Sequence, residues 1–227
     1  MTDSNLYLPP HVTQRTDVPG WNHRCWAAVG AWEALAVSGG TVKVTPETFV
    51  RKAGGGSGSK PGSGTERDIV KGLSTLGLDS QIITVRYGDI SERIATERRA
   101  VFAVATAYSE WPVALDCMNG TAGDDVNHMV GLVPGVRDGK VRVMNPLCKE
   151  YQWVPVRDVE RAATAYNRAQ GRPGIRLVRV ARPVPAALDD LRKQIVALTE
   201  ERDALRDYVA EVRRLGQDLL EVEVPRK

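Results

Sequence analysis

A cysteine stands where an irregular, tryptophan-bearing segment turns into an apolar run: Trp21-Asn22-His23-Arg24-Cys25-Trp26, followed by Ala27 to Val37. Ala27, Val29, Ala31, Trp32, Leu35 and Ala36 recur at helical spacing, and Ser38-Gly39-Gly40 stops the run. The spacing predicts a helix held in a core, with Cys25 at its N-terminus. There a sulfur sits near unpaired backbone N–H groups and the positive end of the helix dipole, which favour thiolate over thiol. A lone cysteine is otherwise a small buried hydrophobe, so a nucleophilic role depends on its partners.

Thiolate chemistry needs a base, usually histidine, and a group that orients it, and both can be distant in sequence. Of the three histidines, His11 lies in a Pro-rich N-terminal stretch and His23 is too close to Cys25 to be an obvious partner. His128 opens an alternating run to Val133. A turn at Arg137-Asp138-Gly139 follows, and Lys140 to Met144 returns and ends at Asn145-Pro146. Asp-Gly between two apolar runs reads as a hairpin, with Pro134-Gly135 disturbing its register. The hairpin would set His128 and Asn145 on neighbouring strands.

Cys25-Trp26 opening a helix, His128 opening a strand and Asn145-Pro146 closing the next strand together resemble the papain-like cysteine peptidases. The closer resemblance is to their bacteriocin-leader-peptidase-like branch, common in bacterial and phage proteins, whose N-terminal order is followed here by Gln14, Asp17, Trp21 and Cys25. The resemblance implies an α+β fold, a helix bearing the cysteine packed on an antiparallel sheet. It implies a thiolate–imidazolium pair with Cys25 as nucleophile, His128 as general base and then acid, and Asn145 orienting the ring. The oxyanion-hole glutamine of such enzymes usually lies about six residues before the cysteine, where this chain has Pro19. The role would pass to Gln14, with Asn22 as the alternative amide and the Cys25 backbone N–H as the other donor. Trp26 and Trp111 are candidate substrate-binding residues, although a tryptophan packed under a loop is the commoner outcome.

The remaining pattern fits an α+β domain. Thr45-Pro46-Glu47 reads as a capped helix start, and Thr65 to Leu76 as a short amphipathic helix. Ser80 to Val85 and Val101 to Tyr108 read as strands, with a helix over Ile90 to Arg98 between them. Tyr151 to Val154 suggests an edge strand, Val156 to Ala169 a helix, and Ile175 to Val180 the last strand. The Gly/Ser-rich run from Ala53 to Gly64 lacks the GxxxxGK[ST] order of a phosphate cradle and reads as a flexible loop. By the resemblance it would border the substrate cleft.

Arg182-Pro183-Val184-Pro185 makes a stiff connector between a peptidase-like domain over 1–183 and a separate helix over 184–227. In that helix Leu188, Leu191, Ile195, Leu198, Leu205, Val209 and Val212 fall on alternating three- and four-residue steps. Arg202 fills one core slot and Gly216 breaks the register. The expectation is a coiled coil that self-associates through 186–224, as dimer or trimer, and holds catalytic heads together or docks them onto a larger phage assembly.

Composition closes off other classes. A net charge of +3 with interleaved signs gives no nucleic-acid footprint. No stretch approaches the roughly 20 apolar residues of a membrane span, and the first residues lack the order of a secretory signal. A soluble product made in the cytoplasm without a signal peptide is expected, released by lysis or carried on a virion. Three cysteines without CxxC argue against a disulfide framework and leave Cys117 and Cys148 to pair only if the fold brings them together. His23, Cys25, Cys117, Cys148 and His128 lack zinc-site spacing, so neither metal nor cofactor is expected. The expected function is a cysteine peptidase or amidase. The resemblance to phage lysins and tail-tip proteins implies the peptide part of bacterial peptidoglycan as target. The alternatives are a precursor-processing peptidase, or a virion tail component that keeps the fold as an inactive scaffold.

Overall fold

Helix α1 (Cys25–Val37) is buried from Trp26 to Val37, with only Leu35 partly exposed, so the surrounding chain has to wrap it. The computed structural model shows how, over residues 7–13, 24–58, 63–97, 99–111, 127–182 and 186–220. The chain divides into two units, Met1–Pro183 and Val184–Lys227. In the first, α1 packs with α2 (Pro46–Ala53) and α3 (Glu66–Thr75) on one face of a six-stranded sheet. The strands are β1 (Ser80–Val85), β2 (Ala100–Ala107), β3 (Asn127–Arg137), β4 (Lys140–Met144), β5 (Gln152–Pro155) and β6 (Ile175–Ala181). Their order is β1-β6-β2-β3-β4-β5, and each neighbouring pair is antiparallel. The opposite face carries α4 (Ile90–Thr96) and α5 (Val156–Ala169).

Strand alternation divides the core. Val101, Ala103, Ala105, Met129, Val133, Val178 and Val180 face the α1 side, and Phe102, Val104, Val130, Leu132, Ile175 and Leu177 face α4 and α5. A cysteine helix on an antiparallel sheet is the architecture the sequence led one to expect. The second helical layer and the insertion of β6 between β1 and β2 were not legible, because a strand's own residues do not name its neighbour.

Missing side chains set the close approaches. A Cβ at Gly131 of β3 would lie 2.5 Å from the Trp32 ring, and Cβ atoms at Gly30 and Gly72 would lie 2.3 and 2.6 Å from Phe49. Glycine at Gly131 therefore lets α1 rest directly on β3, while Phe49 wedges between α1 and α3. The β3–β4 hairpin turns at Asp138 and Gly139, both left-handed (φ 51° and 70°). Its register shifts between Val133 and Val136, so Pro134-Gly135 forms a β-bulge.

The Gly/Ser-rich run is anchored where it is described. Asp68 accepts from the Thr65 N–H (2.7 Å) and from the Ser57 N–H and hydroxyl (3.2 and 2.7 Å), and Gly64 packs against the Trp26 indole. Residues 59–62 lie outside the described residues. In the second unit, α6 (Ala186–Leu220) is one 35-residue helix that continues through Gly216. Among the described residues no helix is long and apolar enough to cross a membrane.

Helix α1 also buries a carboxyl group. Glu33 has no exposed surface, and neither of its oxygens has a hydrogen-bond partner. Burial pushes its pKa well above the usual carboxylate value of 4.5. The unfolded chain releases this proton as pH rises past that value while the folded chain keeps it, so Glu33 withdraws stability with rising pH. Urea unfolding of Glu33→Gln should show a gain over wild type that is small near pH 4 and widens toward pH 7. A gap independent of pH would mean that the carboxyl is not held neutral.

Candidate active site

Cys25 is the first residue of α1, and the Arg24 carbonyl closes the helix start by accepting from the Ala27 and Ala28 N–H groups (3.0 and 3.2 Å). The Met129 N–H donates to Cys25 Sγ at 3.4 Å. Met129 follows His128 on β3, so the sulfur rests on the peptide unit that joins the two residues. His128 is buried, and its Nε2 lies 2.8 Å from Asn145 Oδ1. Asn145, fully buried just beyond β4, also accepts from the Leu147 N–H at 3.1 Å, while its carbonyl accepts from Cys148 (2.9 Å). In a neutral ring, an Oδ1 acceptor selects the tautomer with hydrogen on Nε2, which leaves Nδ1 as the basic nitrogen. The structure thus gathers the predicted Cys25, His128 and Asn145 at the junction of α1, β3 and the end of β4. Gln14, Asp17, Asn22, His23 and Cys117 lie outside the described residues.

Burial dominates the electrostatics. It pushes the Cys25 thiol up, against the opposing pull of the Met129, Trp26 and Cys25 N–H groups. It also pulls His128 down to about 4, against the Asn145 hydrogen bond. Both shifts favour a neutral thiol and a neutral imidazole over the thiolate–imidazolium pair that the resemblance implies.

The two tryptophans considered for substrate binding are enclosed. Trp111 is buried, and its indole N–H donates to Thr106 Oγ1 (2.8 Å), whose hydroxyl donates to the His128 carbonyl (2.9 Å). It braces the strand that carries His128. Trp26 is buried edge-on to Phe49 beneath Gly64. Neither burial supports a substrate-lining role, and helical or loop position alone could not reveal these neighbours.

Sequence reasoning missed Tyr151. Its hydroxyl accepts from Trp32 Nε1 (2.6 Å) and donates to the Pro9 carbonyl (2.8 Å), joining α1, the segment after Asn145 and the N-terminal stretch. Burial raises its pKa to about 12, so it remains a phenol. The His11 ring meets Tyr151 edge-on at 5.5 Å, and burial lowers its pKa against the pull of the Asn145 carbonyl. No local pattern signals bonds between segments this far apart. Cys25 is a free thiol, whereas Cys148 is disulfide-bonded. The odd cysteine count therefore leaves Cys25 over and does not preclude a bridge. Among the described residues no three His, Cys, Asp or Glu side chains cluster to hold a metal.

No family model matches the chain, and neither does any curated protein. Among solved structures, a candidate C39-like peptidase from Bacillus anthracis matches with a TM-score of 0.53 at 14% identity, over 80% of this chain and 97% of that one. That likeness shows the fold alone: this chain shares the fold of that C39-like peptidase.

Unreduced, unfolded protein should titrate with a disulfide reagent at one thiol per chain, rising to all three cysteines after reduction. Three thiols without reductant would remove the bridge.

Proposed function

We propose that the protein is a cysteine peptidase that cleaves peptide bonds through a Cys25 acyl-enzyme. The observation that carries this reading is the Cys25 sulfur at a helix start, bonded to the amide after His128, whose ring is held by Asn145. With the Nε2 hydrogen engaged by Asn145, Nδ1 takes the thiol proton as sulfur attacks the substrate carbonyl carbon. His128 returns that proton to the departing amine as the C–N bond breaks. It then deprotonates the water that hydrolyses the thioester. Because burial favours the neutral pair, proton transfer accompanies attack and does not precede it. The Cys25 N–H at the start of α1 meets the developing oxyanion, with Gln14, or alternatively Asn22, as side-chain donor. Removal of the true donor should cost about 10²–10³ in kcat.

The substrate class we assign is the peptide part of bacterial peptidoglycan, attacked by a phage-type lysin or tail-associated enzyme. The sequence resemblance supports it, and so does the disulfide at Cys148, since such bonds persist outside the reducing cytosol. One observation favours the scaffold alternative, namely the raised thiol and lowered imidazole, which leave Cys25 unactivated at rest.

Wild type should release fragments with new amino termini from purified cross-linked peptidoglycan, and Cys25→Ala and His128→Ala should release none. Cleavage of a precursor protein without wall digestion would transfer the substrate to the processing alternative. No cleavage of either, with Cys25 alkylated no faster than an unactivated thiol, would leave the scaffold.

The base works only when neutral. With His128 held near 4, kcat/KM should persist at pH 5.5, where an unshifted imidazole would be about 90% protonated. An acid limb centred near 6.5 (the ordinary imidazole value) would show that the ring is not desolvated as the structure has it.

A further inference from the structure

Helix α6 presents to solvent an apolar stripe broken at Arg202. Ile195, Leu198, Leu205, Val209 and Val212 are between 46% and 64% exposed, far from the burial of the same residue types in the first unit. Their spacing assigns Ile195, Arg202 and Val209 to heptad position a, and Leu198, Leu205 and Val212 to position d. Ile195 and Val209 at a, with Leu198 and Leu205 at d, are the pattern that favours two strands in a parallel coiled coil. The charged flanks agree. Position g holds Glu201 and Tyr208, and position e holds Arg206 and Arg213, with Arg192 earlier in the sequence. In a parallel pair each g residue meets the e residue five positions on. Glu201 then faces the partner's Arg206, and Tyr208 offers its ring to the partner's Arg213. Antiparallel pairing sets e against e and brings arginines together.

Within one chain these flanking charges are unspent. The ion pairs along the described part of α6 join Arg202 to Asp203 (2.7 Å) and Arg214 to Glu211 (3.9 Å), and neither engages Glu201, Arg206 or Arg213. Arg202 is the exception in the seam, and its Nε and Nη2 both donate to Asp203 Oδ1 (2.9 and 2.7 Å). A guanidinium drawn to the flank is tolerated between two helices, where position a borders solvent. A third helix would close three guanidiniums into one desolvated layer. We infer that the stripe on α6 is the interface of a parallel, in-register, two-stranded coiled coil with a second copy of this chain.

The test uses the full chain with Cys25→Ser, so that an added cysteine is the free thiol, and with either Ile195→Cys or Val209→Cys. Both positions are exposed in the single chain, so neither change disturbs its core. Sedimentation of wild type should give twice the chain mass of 24.8 kDa, and mild oxidation should convert each variant almost completely to covalent dimer. A parallel pair brings both sites face to face with their copies, whereas an antiparallel pair has one centre and can do so for at most one of them. A dimer in which only one variant or neither cross-links overturns the orientation. A monomer, or a trimer or larger, overturns the interface.

Discussion

The contact between the Trp32 indole and the bare backbone of Gly131 sets the separation of α1 and β3, and the candidate site follows from that separation. Cys25 lies seven residues, about two helical turns, before Trp32 on the same face of α1. The tryptophan that seats the helix therefore also carries the sulfur to the Met129 amide. The far edge of the same indole is bonded to Tyr151, six residues past Asn145 in the chain. One side chain thus relates the helix that carries Cys25 to the strand that carries His128 and to the segment that follows Asn145. A side chain at Gly131 would prise α1 off the sheet, and the candidate site would lose its geometry without losing Cys25, His128 or Asn145.

The same close packing makes desolvation the leading electrostatic effect. His128 and Glu33 are both held neutral by burial, with opposite consequences. As pH falls from about 6.5 to about 4, the unfolded chain takes up a proton at His128 that the folded chain refuses, and stability drops. As pH rises past about 4.5, the unfolded chain releases the Glu33 proton that the folded chain keeps, and stability drops in that direction too. The two effects oppose each other in mildly acidic solution. Desolvation thus keeps the His128 ring neutral at low pH, while the Glu33 carboxyl, in the helix that Cys25 opens, lowers stability as pH rises.

What was legible in the sequence is what local chemistry dictates. The apolar period of α1, the proline and threonine at the start of α2, the Asp138-Gly139 turn and the bounds of α5 are each written in a few consecutive residues. The positions of Cys25, His128 and Asn145 were legible because each sits at the end of such an element. The strand order, the helical layer over the second face, the enclosure of Trp26 and Trp111 and the Tyr151 bridge depend on segments remote in sequence, and a residue's type does not encode which remote neighbour buries it. Trp26 shows the limit well, since an aromatic residue beside a cysteine at a helix start fits a cleft wall and a core wedge equally, and here the glycines of a loop lie against its indole.

Both faces of the sheet are occupied, one by α1, α2 and α3 and the other by α4 and α5, so the first unit has its apolar faces covered without α6. Helix α6, 35 residues long, carries an apolar stripe flanked by Glu201, Arg206 and Arg213, which neither of its ion pairs engages. The proposed pairing with a second copy would cover that stripe, and the parallel sense has a chemical consequence. In that proposed pair both first units would be joined to the same end of the coiled coil, which would run about 50 Å at 1.5 Å per residue. On the proposed substrate, cross-linked peptidoglycan, a head that releases its product would be held near the next bond by its neighbour, raising the effective concentration of substrate without any new contact in the site. An antiparallel rod would separate the heads by its length and forfeit most of that gain.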